Sequence, residues 1–219
     1  MNNAVSRNPV LLIHGIDDTG AVFERMVSYL KQDSYAVYHL DLMPNCGAIG
    51  LDVLASQVAA YIDRTFPTNQ PLDLVGFSMG GIVGRYYVQR LGGIDRVQRF
   101  ITISSPHLGT WAAYARLNPG CNQMRPNSPF LLNLNQDAVM LNRINFTSIW
   151  TPLDLIIVPA NSSHLSVGKS IPVWVGGHAW MMTDPRSIQT VRQSLAEPLR
   201  SQESGMKVSH RSRVSRSPF

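Results

Sequence analysis

The chain has few of the features that mark membrane-spanning or disulfide-rich proteins. It contains no run of the roughly 18 apolar residues that a membrane-spanning helix needs. Residues 1–9 carry no apolar core of the kind found in secretory leaders, so we expect a cytoplasmic protein. Cysteine is scarce as well: Cys46 and Cys121 are the two thiols. Their loops are expected on the same side of the fold, so a disulfide is conceivable, but the sequence does not determine the distance between their Cα atoms. A cytoplasmic location favours reduced thiols.

The chain also has little net positive charge outside the C-terminus, although its formal net charge is +5. Residues 200–219 hold five basic side chains against the single acid Glu203, so residues 1–199 are almost neutral. A short tail rich in serine and arginine cannot bury a core. We therefore predict one domain over residues 1–199, followed by a basic, disordered tail over residues 200–219. We expect no nucleic-acid partner.

The apolar residues indicate alternating strands and helices. Strand-like segments occur at 9–14, 36–41, 72–77, 98–103, 145–150 and 171–175, and helical segments lie near 20–32, 51–66, 79–91 and 186–199. Strands that are apolar throughout are typical of a parallel sheet covered on both faces. The sequence therefore predicts an α/β fold with a mostly parallel central sheet.

The most informative motif is a G-x-S-x-G pattern over residues 76–80, centred on Ser78. An apolar strand precedes it and a helix-compatible run follows. A serine on a sharp strand-to-helix turn needs small neighbours, because the strand and the helix approach each other closely there. This context predicts that Ser78 is a nucleophile; the alternative is a glycine-rich turn with an inert serine.

A nucleophilic serine needs a histidine as its base, and His178 is the best placed of six. It follows the apolar segment 171–175 and two glycines, where a loop after the last strand can reach the serine. His14 belongs to an earlier motif, and His39 lies in a strand-like run. His107 follows a strand and is expected to shape the site as a turn residue. His164 is in a polar loop and His210 in the tail.

The base needs an orienting carboxylate, for which Asp154 is the preferred candidate. It lies on a turn after the strand-like segment 145–150, between apolar residues that would hold it still. Asp137, in a helix or lid segment, is one rival. Asp184 is another, although with Pro185 next to it we expect it to cap the last helix.

Two backbone N–H groups are expected to hold the oxyanion of the reaction intermediate. One belongs to Met79, the residue after the nucleophile. The other belongs to Ile16, because the strand over residues 10–13 ends in a His-Gly pair that lets the chain turn. We expect His14 to brace this loop by hydrogen bonds.

Three motifs and one pair of residues together resemble a known group of enzymes. Residues 12–16, 76–81 and 105–110, with Asp154 and His178, look like the small bacterial triacylglycerol lipases and esterases of the α/β-hydrolase superfamily. The resemblance covers roughly residues 9–199. It implies an α/β-hydrolase fold and a serine carboxylester hydrolase that cleaves acyl glycerol esters. The interval after the fourth strand leaves room for only a minimal cap.

The segment 111–135 is expected to form that cap or an acyl-binding wall, with core packing as the alternative for Leu131 and Leu134. His107, Trp111 and Trp180 are the candidate substrate-binding residues. No His/Cys/Asp cluster has ligand spacing, so we expect no metal and no cofactor. The expected partner is a small-molecule or lipid ester, with peripheral contact to lipid surfaces. An acyltransferase or thioesterase using the same three residues, and a non-catalytic binding module, remain open.

Overall fold

A computed structural model describes residues 7–199, so the predicted tail over residues 200–219 lies outside the described part of the chain. Its six strands form one sheet, in the order β2-β1-β3-β4-β5-β6, and every neighbouring pair is parallel. The strands are β1 Val10–Ile13, β2 Val37–Leu40, β3 Leu72–Phe77, β4 Val97–Ile103, β5 Asn145–Trp150 and β6 Lys169–Pro172. The predicted parallel sheet is confirmed.

Helices connect these strands. They are α1 Glu24–Gln32, α2 Leu51–Thr65, α3 Met79–Arg90, α4 Pro119–Gln123, α5 Pro129–Gln136 and α6 Pro185–Ala196. A 3-10 turn over Gly20–Phe23 leads into α1, and others span Trp111–Ala115, Ala138–Arg143 and Ala179–Met182. Asp184 caps α6, accepting a hydrogen bond from the Arg186 N–H at 2.8 Å, as the sequence predicts.

Helices cover both faces of the sheet. Alternate strand residues point to opposite faces, so each strand contributes apolar side chains to the helices on either side. Leu11 and Leu74 pack on the face covered by α2 and α3. Leu12 and Val75 pack on the opposite face, which α1 and α6 cover. Residues of β1 and β3 are therefore buried from both sides, which explains why β1 is apolar throughout and β3 is apolar apart from Asp73. The buried Asp73 carboxylate pairs with Arg99 at 3.2 Å.

The segment between β4 and β5 divides between core and surface. Leu131 and Leu134 of α5 are buried in the core, as the packing alternative for this segment expects. Trp111, Tyr114 and Leu117 remain exposed. Residues 111–136 thus form a 3-10 turn and the two short helices α4 and α5, and within this segment there is no large lid.

Both cysteines are free thiols: Cys46 is exposed and Cys121 is buried. Their loops are nevertheless in contact, since the Gly120 N–H donates to the Gly47 carbonyl at 2.9 Å. Within residues 7–199, no helix is long and apolar enough to cross a membrane.

Candidate active site

Ser78 lies at the junction between β3 and α3, in a conformation that side chains rarely adopt. Its φ is 53° and its ψ is −122°, so the chain reverses sharply and α3 begins at the next residue. Non-glycine residues in such strained regions occur mainly where the surrounding structure holds them for a purpose. The Ser78 N–H donates to the Ile103 carbonyl at 2.8 Å, which fixes the turn against β4.

The glycines on either side of Ser78 are required by close backbone contacts. A Cβ on Gly76 would lie 2.5 Å from the Cα of Gly81, and one on Gly80 would lie 2.1 Å from the Ile13 carbonyl oxygen. Both obstacles are backbone atoms, which cannot move aside as a flexible side chain can. The G-x-S-x-G pattern is thus a packing requirement of this turn.

Asp154 and His178 lie side by side at the same edge of the sheet. The distance between Asp154 Oδ2 and His178 Nδ1 is 2.8 Å. Asp154 Oδ1 accepts hydrogen bonds from the N–H groups of Ile156 (2.9 Å) and Ile157 (2.8 Å). Burial by itself would raise the pKa of Asp154, but the His178 contact and these two donors outweigh it and hold the pKa below its ordinary value. The carboxylate is therefore charged, immobile and aimed at the imidazole.

Within the described residues 7–199, neither rival acid forms a hydrogen bond or an ion pair with a histidine. Asp137 forms an ion pair with Arg90 at 2.6 Å and accepts a hydrogen bond from Gln89. Asp184 caps α6 and pairs with Arg186 at 2.8 Å. Both carboxylates thus have structural partners, and Asp154 is the acid that the fold brings to His178.

The His178 ring lies near the Ser78 turn through its contact with Phe77. The ring centroids of Phe77 and His178 are 4.9 Å apart, so the imidazole packs against the residue that precedes the serine. Among residues 7–199 the Ser78 hydroxyl forms no hydrogen bond, either with His178 or with another group.

His14 orients the loop that carries Ile16. Its Nε2 accepts the Leu42 N–H at 2.8 Å, which leaves the ring proton on Nδ1 to donate to the Gly15 carbonyl at 2.8 Å. Because the carbonyl and N–H of a trans peptide point in opposite directions, fixing the Gly15 carbonyl turns the Ile16 N–H away from His14. Within residues 7–199, neither the Ile16 nor the Met79 N–H donates to a loop, cap or side-chain acceptor.

His107 lies in the core, where it has no surface to offer a substrate. It is fully buried, and its Nε2 is 2.9 Å from Thr102 Oγ1. Burial lowers the pKa of His107 well below its usual range, and the charges of Arg85 and His164 lower it further. The expectation that His107 contacts substrate is therefore corrected to a structural position under the turn that follows β4.

Trp111 and Trp180 lie at the surface on the two sides of the Asp154–His178 pair. Trp180 is two residues past His178 and covers Gly176, where a Cβ would meet its ring at 2.5 Å. The Trp111 N–H donates to the Val158 carbonyl at 2.9 Å, so Trp111 adjoins the loop after Asp154. We define the apolar rim as exposed side chains of three segments, namely the 3-10 turn Trp111–Ala115, the loop after Asp154 and the turn after His178: Trp111, Tyr114, Leu155, Ile156, Val158 and Trp180.

Two threonines that sequence reasoning missed hold the Asp154 loop in place. Thr110 Oγ1 donates to the Ile156 carbonyl at 2.7 Å and accepts the Val158 N–H at 2.9 Å. Thr151 Oγ1 donates to the Val175 carbonyl at 2.6 Å, which ties the Asp154 turn to the segment between β6 and His178. No sequence pattern points to these contacts, since each joins segments that only the tertiary fold brings together.

A cavity of about 740 Å³ opens near the amino-terminal ends of β3, β4 and β5, lined by residues that include Thr68, Arg96 and Arg143. It contains none of the predicted site residues. The carboxyl-terminal edge, where Ser78 and the Asp154–His178 pair lie, is therefore the candidate site.

Comparisons with solved structures agree with this architecture. The chain is similar to a Bacillus licheniformis lipase in its mature form, with a TM-score of 0.71 and 13% identity over 87% of this chain and 93% of that one. It is also similar to Aspergillus fumigatus lipase B, with a TM-score of 0.76 and 18% identity over 88% of this chain and 53% of that one. At these identities the likeness concerns the fold, and the predicted α/β-hydrolase fold is confirmed.

Sequence comparison identifies the family. A human protein named lysosomal thioesterase PPT2 is 29% identical over 112 residues, which are 48% of this chain and 36% of that protein. The chain thus aligns with about a third of that relative's length. A family model described as palmitoyl protein thioesterase matches residues 9–152, which include β1 to β5 and Ser78. The chain belongs to the palmitoyl protein thioesterase family, on an α/β-hydrolase fold.

Proposed function

We propose that the protein is a serine hydrolase that cleaves carboxylic esters of lipids through an acyl-enzyme on Ser78. The observation that carries the proposal is the 2.8 Å contact between Asp154 and His178, at the sheet edge where Ser78 is held in a strained turn. A serine, a histidine and a buried, charged carboxylate in this relation are what nucleophilic attack by a hydroxyl requires.

In the proposed reaction, Ser78 Oγ attacks the ester carbonyl and its proton passes to His178 Nε2. Asp154 stabilises the resulting imidazolium through Nδ1. The Ile16 and Met79 N–H groups donate to the oxyanion of the tetrahedral intermediate. His178 returns the proton to the leaving alcohol, and a water molecule activated by His178 then hydrolyses the acyl-enzyme. No step requires a metal or an organic cofactor.

The apolar rim supports a lipid as the source of the acyl group. Leu155 is 84% exposed, and Trp111 and Trp180 are each about 60% exposed, beside the Asp154–His178 pair. Exposed apolar groups clustered at a reaction centre are typical of sites that accept apolar ligands or contact a lipid surface. We infer that long acyl chains bind along this rim, and acyl glycerols are the proposed substrate class.

Thioester cleavage is the second candidate, favoured by the family match over residues 9–152 and by the name of the human relative. The same residues would act, because Ser78 attacks a thioester carbonyl in the same way. A thiolate leaves without full protonation, so the second reaction depends less on His178 as an acid. An acyltransferase would differ only in replacing water by an acceptor alcohol.

The first experiment is hydrolysis of p-nitrophenyl esters from acetyl to palmitoyl by the wild-type protein and by Ser78→Ala. We expect turnover in the wild type and a loss of at least about 10³-fold in the variant. Labelling of Ser78 by a fluorophosphonate identifies the nucleophile directly. Absence of both turnover and labelling would reject the enzyme and leave a binding module.

A second experiment separates the two candidate substrate classes. It compares an oxygen ester and a thioester that carry the same palmitoyl chain, with and without added alcohol. A higher kcat/KM for the oxygen ester supports the lipase proposal, whereas a higher value for the thioester favours the second candidate. An acyl–alcohol product that outcompetes hydrolysis would identify a transferase.

A further inference from the structure

The loop after β1 brings a second carboxylate, that of Asp18, to the candidate site. Asp17 has a φ of 60°, in the left-handed region that aspartate tolerates better than most residues. Asn45 holds this turn from the next loop: its carbonyl accepts the Asp17 N–H at 3.0 Å, and its Nδ2 donates to the Asp18 carbonyl at 2.8 Å. The backbone that carries Asp18 is thus fixed.

The Asp18 side chain folds back beside Gly15 and shares its surroundings with the nucleophile. The position that a Cβ on Gly15 would occupy is 3.1 Å from Asp18 Oδ2, 3.1 Å from Ser78 Cβ and 3.3 Å from Phe77 Cδ1. Phe77 in turn packs against the His178 ring, with centroids 4.9 Å apart. The lack of a side chain at Gly15 therefore lets the Asp18 carboxylate and the serine approach each other at this point.

Within residues 7–199, the Asp18 carboxylate has neither a hydrogen-bond donor nor an ion-pair partner. Asp17 differs, because its carboxylate is exposed and pairs with Arg116 at 2.5 Å. Burial raises the pKa of Asp18, and the attraction of His14 and His178 opposes that rise. The half-buried Asp18 carboxylate therefore makes no hydrogen bond or ion pair that would stabilise its loop, so loop stability does not explain its position.

We propose that Asp18 is a positioning residue that acts on His178 by charge across Gly15, as a second carboxylate beside Asp154. This inference rests on the proposed function. When Ser78 Oγ bonds to the substrate carbonyl carbon and its proton moves to His178 Nε2, the imidazole becomes positive. Asp154 contacts that imidazole from the turn after β5. The Asp18 carboxylate lies on the loop after β1, beside the Gly15 position that Ser78 also adjoins.

The test is the pH dependence of fluorophosphonate labelling at Ser78, compared between wild type, Asp18→Asn and Asp17→Asn. With Asp18→Asn, the acidic limb of the profile should move to lower pH by about half a unit or more, since a negative charge that favours imidazolium is removed. Labelling on the plateau should slow several-fold. Asp17→Asn keeps the left-handed turn, because asparagine also tolerates it, and should reproduce the wild-type profile.

Asp18→Glu is the conservative variant, and we expect it to restore part of the wild-type profile. A second measurement compares the same variants without any reaction. The imidazole signals of His178 are followed by NMR in isotope-labelled protein as the pH changes, and His178→Gln assigns those signals. In Asp18→Asn the midpoint of that titration should move to lower pH. An unchanged midpoint, or the same shift in Asp17→Asn, would overturn the inference. If wild-type Ser78 is not labelled at all, the proposed function fails, and the NMR titration still tests Asp18.

Discussion

Asp154 illustrates at the scale of one residue how a buried acid is kept charged and aimed. Its two oxygens have separate tasks: Oδ1 accepts two backbone N–H groups, and Oδ2 faces His178 Nδ1. The backbone donors would remain satisfied if the residue were asparagine, because its amide oxygen can take the place of Oδ1. The amide nitrogen would then face Nδ1, where a second donor is unfavourable.

Asp154→Asn should therefore fold normally and lose activity. The imidazole would be driven to carry its proton on Nε2, where it cannot accept the proton of Ser78, and kcat/KM for a p-nitrophenyl ester should fall by about 10³- to 10⁴-fold. Asp184→Asn is the matched control, since it alters the rival acid at the α6 cap and should retain kcat/KM within about twofold. Equal losses in both variants would contradict the role of Asp154.

His107 couples the stability of the protein to pH. In the unfolded chain its imidazole titrates near the ordinary value of 6.5, whereas in the folded protein burial holds the pKa of His107 well below that value. Between these two pKa values the unfolded chain binds more protons than the folded protein does. The free energy of unfolding should thus decrease as the pH falls below 6.5, by up to about 1.4 kcal/mol per pH unit from this residue.

His107→Gln should remove this slope, as measured by urea unfolding between pH 7 and pH 5. Thr102→Val is the control: it deletes the hydrogen-bond partner of His107 but leaves a buried imidazole that still titrates, so the slope should persist. A slope in His107→Gln that equals that of the wild type would show that other groups produce it.

At the scale of the secondary-structure elements, the site depends on how closely α3 approaches β1. Gly80 lies in the first turn of α3, where an added Cβ would be 2.1 Å from the Ile13 carbonyl oxygen and 2.4 Å from that of His14. These carbonyls belong to the strand and loop that carry Ile16. Any side chain at position 80 would push the helix and the loop that carries Ile16 apart.

We expect Gly80→Ala to lower the free energy of unfolding by about 2 kcal/mol or more and to reduce kcat as well. Gly84→Ala, one turn later in α3, is the matched control. A Cβ there would meet the side chains of Phe100 and Ile13 at 3.1–3.3 Å, which can yield slightly. Alanine is also the better helix former, so Gly84→Ala should stay within about 1 kcal/mol of wild type. Equal destabilisation by both substitutions would contradict the argument.

At the scale of the whole molecule, the parallel sheet gives the protein two unlike ends. The carboxyl-terminal edge carries Ser78, the Asp154–His178 pair and the apolar rim. The amino-terminal edge carries charged groups such as Arg96 and Arg143 around its cavity. We expect the carboxyl-terminal edge to face a lipid surface.

Substitutions at the rim should thus affect aggregated substrates more than soluble ones. Leu155→Ser combined with Trp111→Ser should weaken co-sedimentation with phosphatidylcholine vesicles and lower kcat/KM for a palmitoyl ester in micelles by about tenfold. Hydrolysis of the soluble acetyl ester should change by less than about twofold. Val139→Ser, at a residue that is 66% exposed just before β5, is the control and should alter neither activity.

Sequence alone determined the sheet, its strands and the residues expected to react. Parallel strands buried on both faces are mostly apolar, and the turn at Ser78 must be flanked by glycines, so both features are visible as local patterns. The positions of Asp154 and His178 followed from where strands end. The fold prediction is confirmed because it depends on the chemistry of short segments, and the fold brings Asp154 and His178 into contact, while their roles stay predictions.

Tertiary structure decided what depends on contacts between distant segments. His107 was expected near substrate, yet its neighbours β4 and β5 enclose it completely. The carboxylate of Asp18 reaches the site because the Asp17 turn and Asn45 fold it back beside Gly15. Burial, hydrogen-bond partners and charge coupling are properties of the folded neighbourhood, and residues far apart in the sequence supply them.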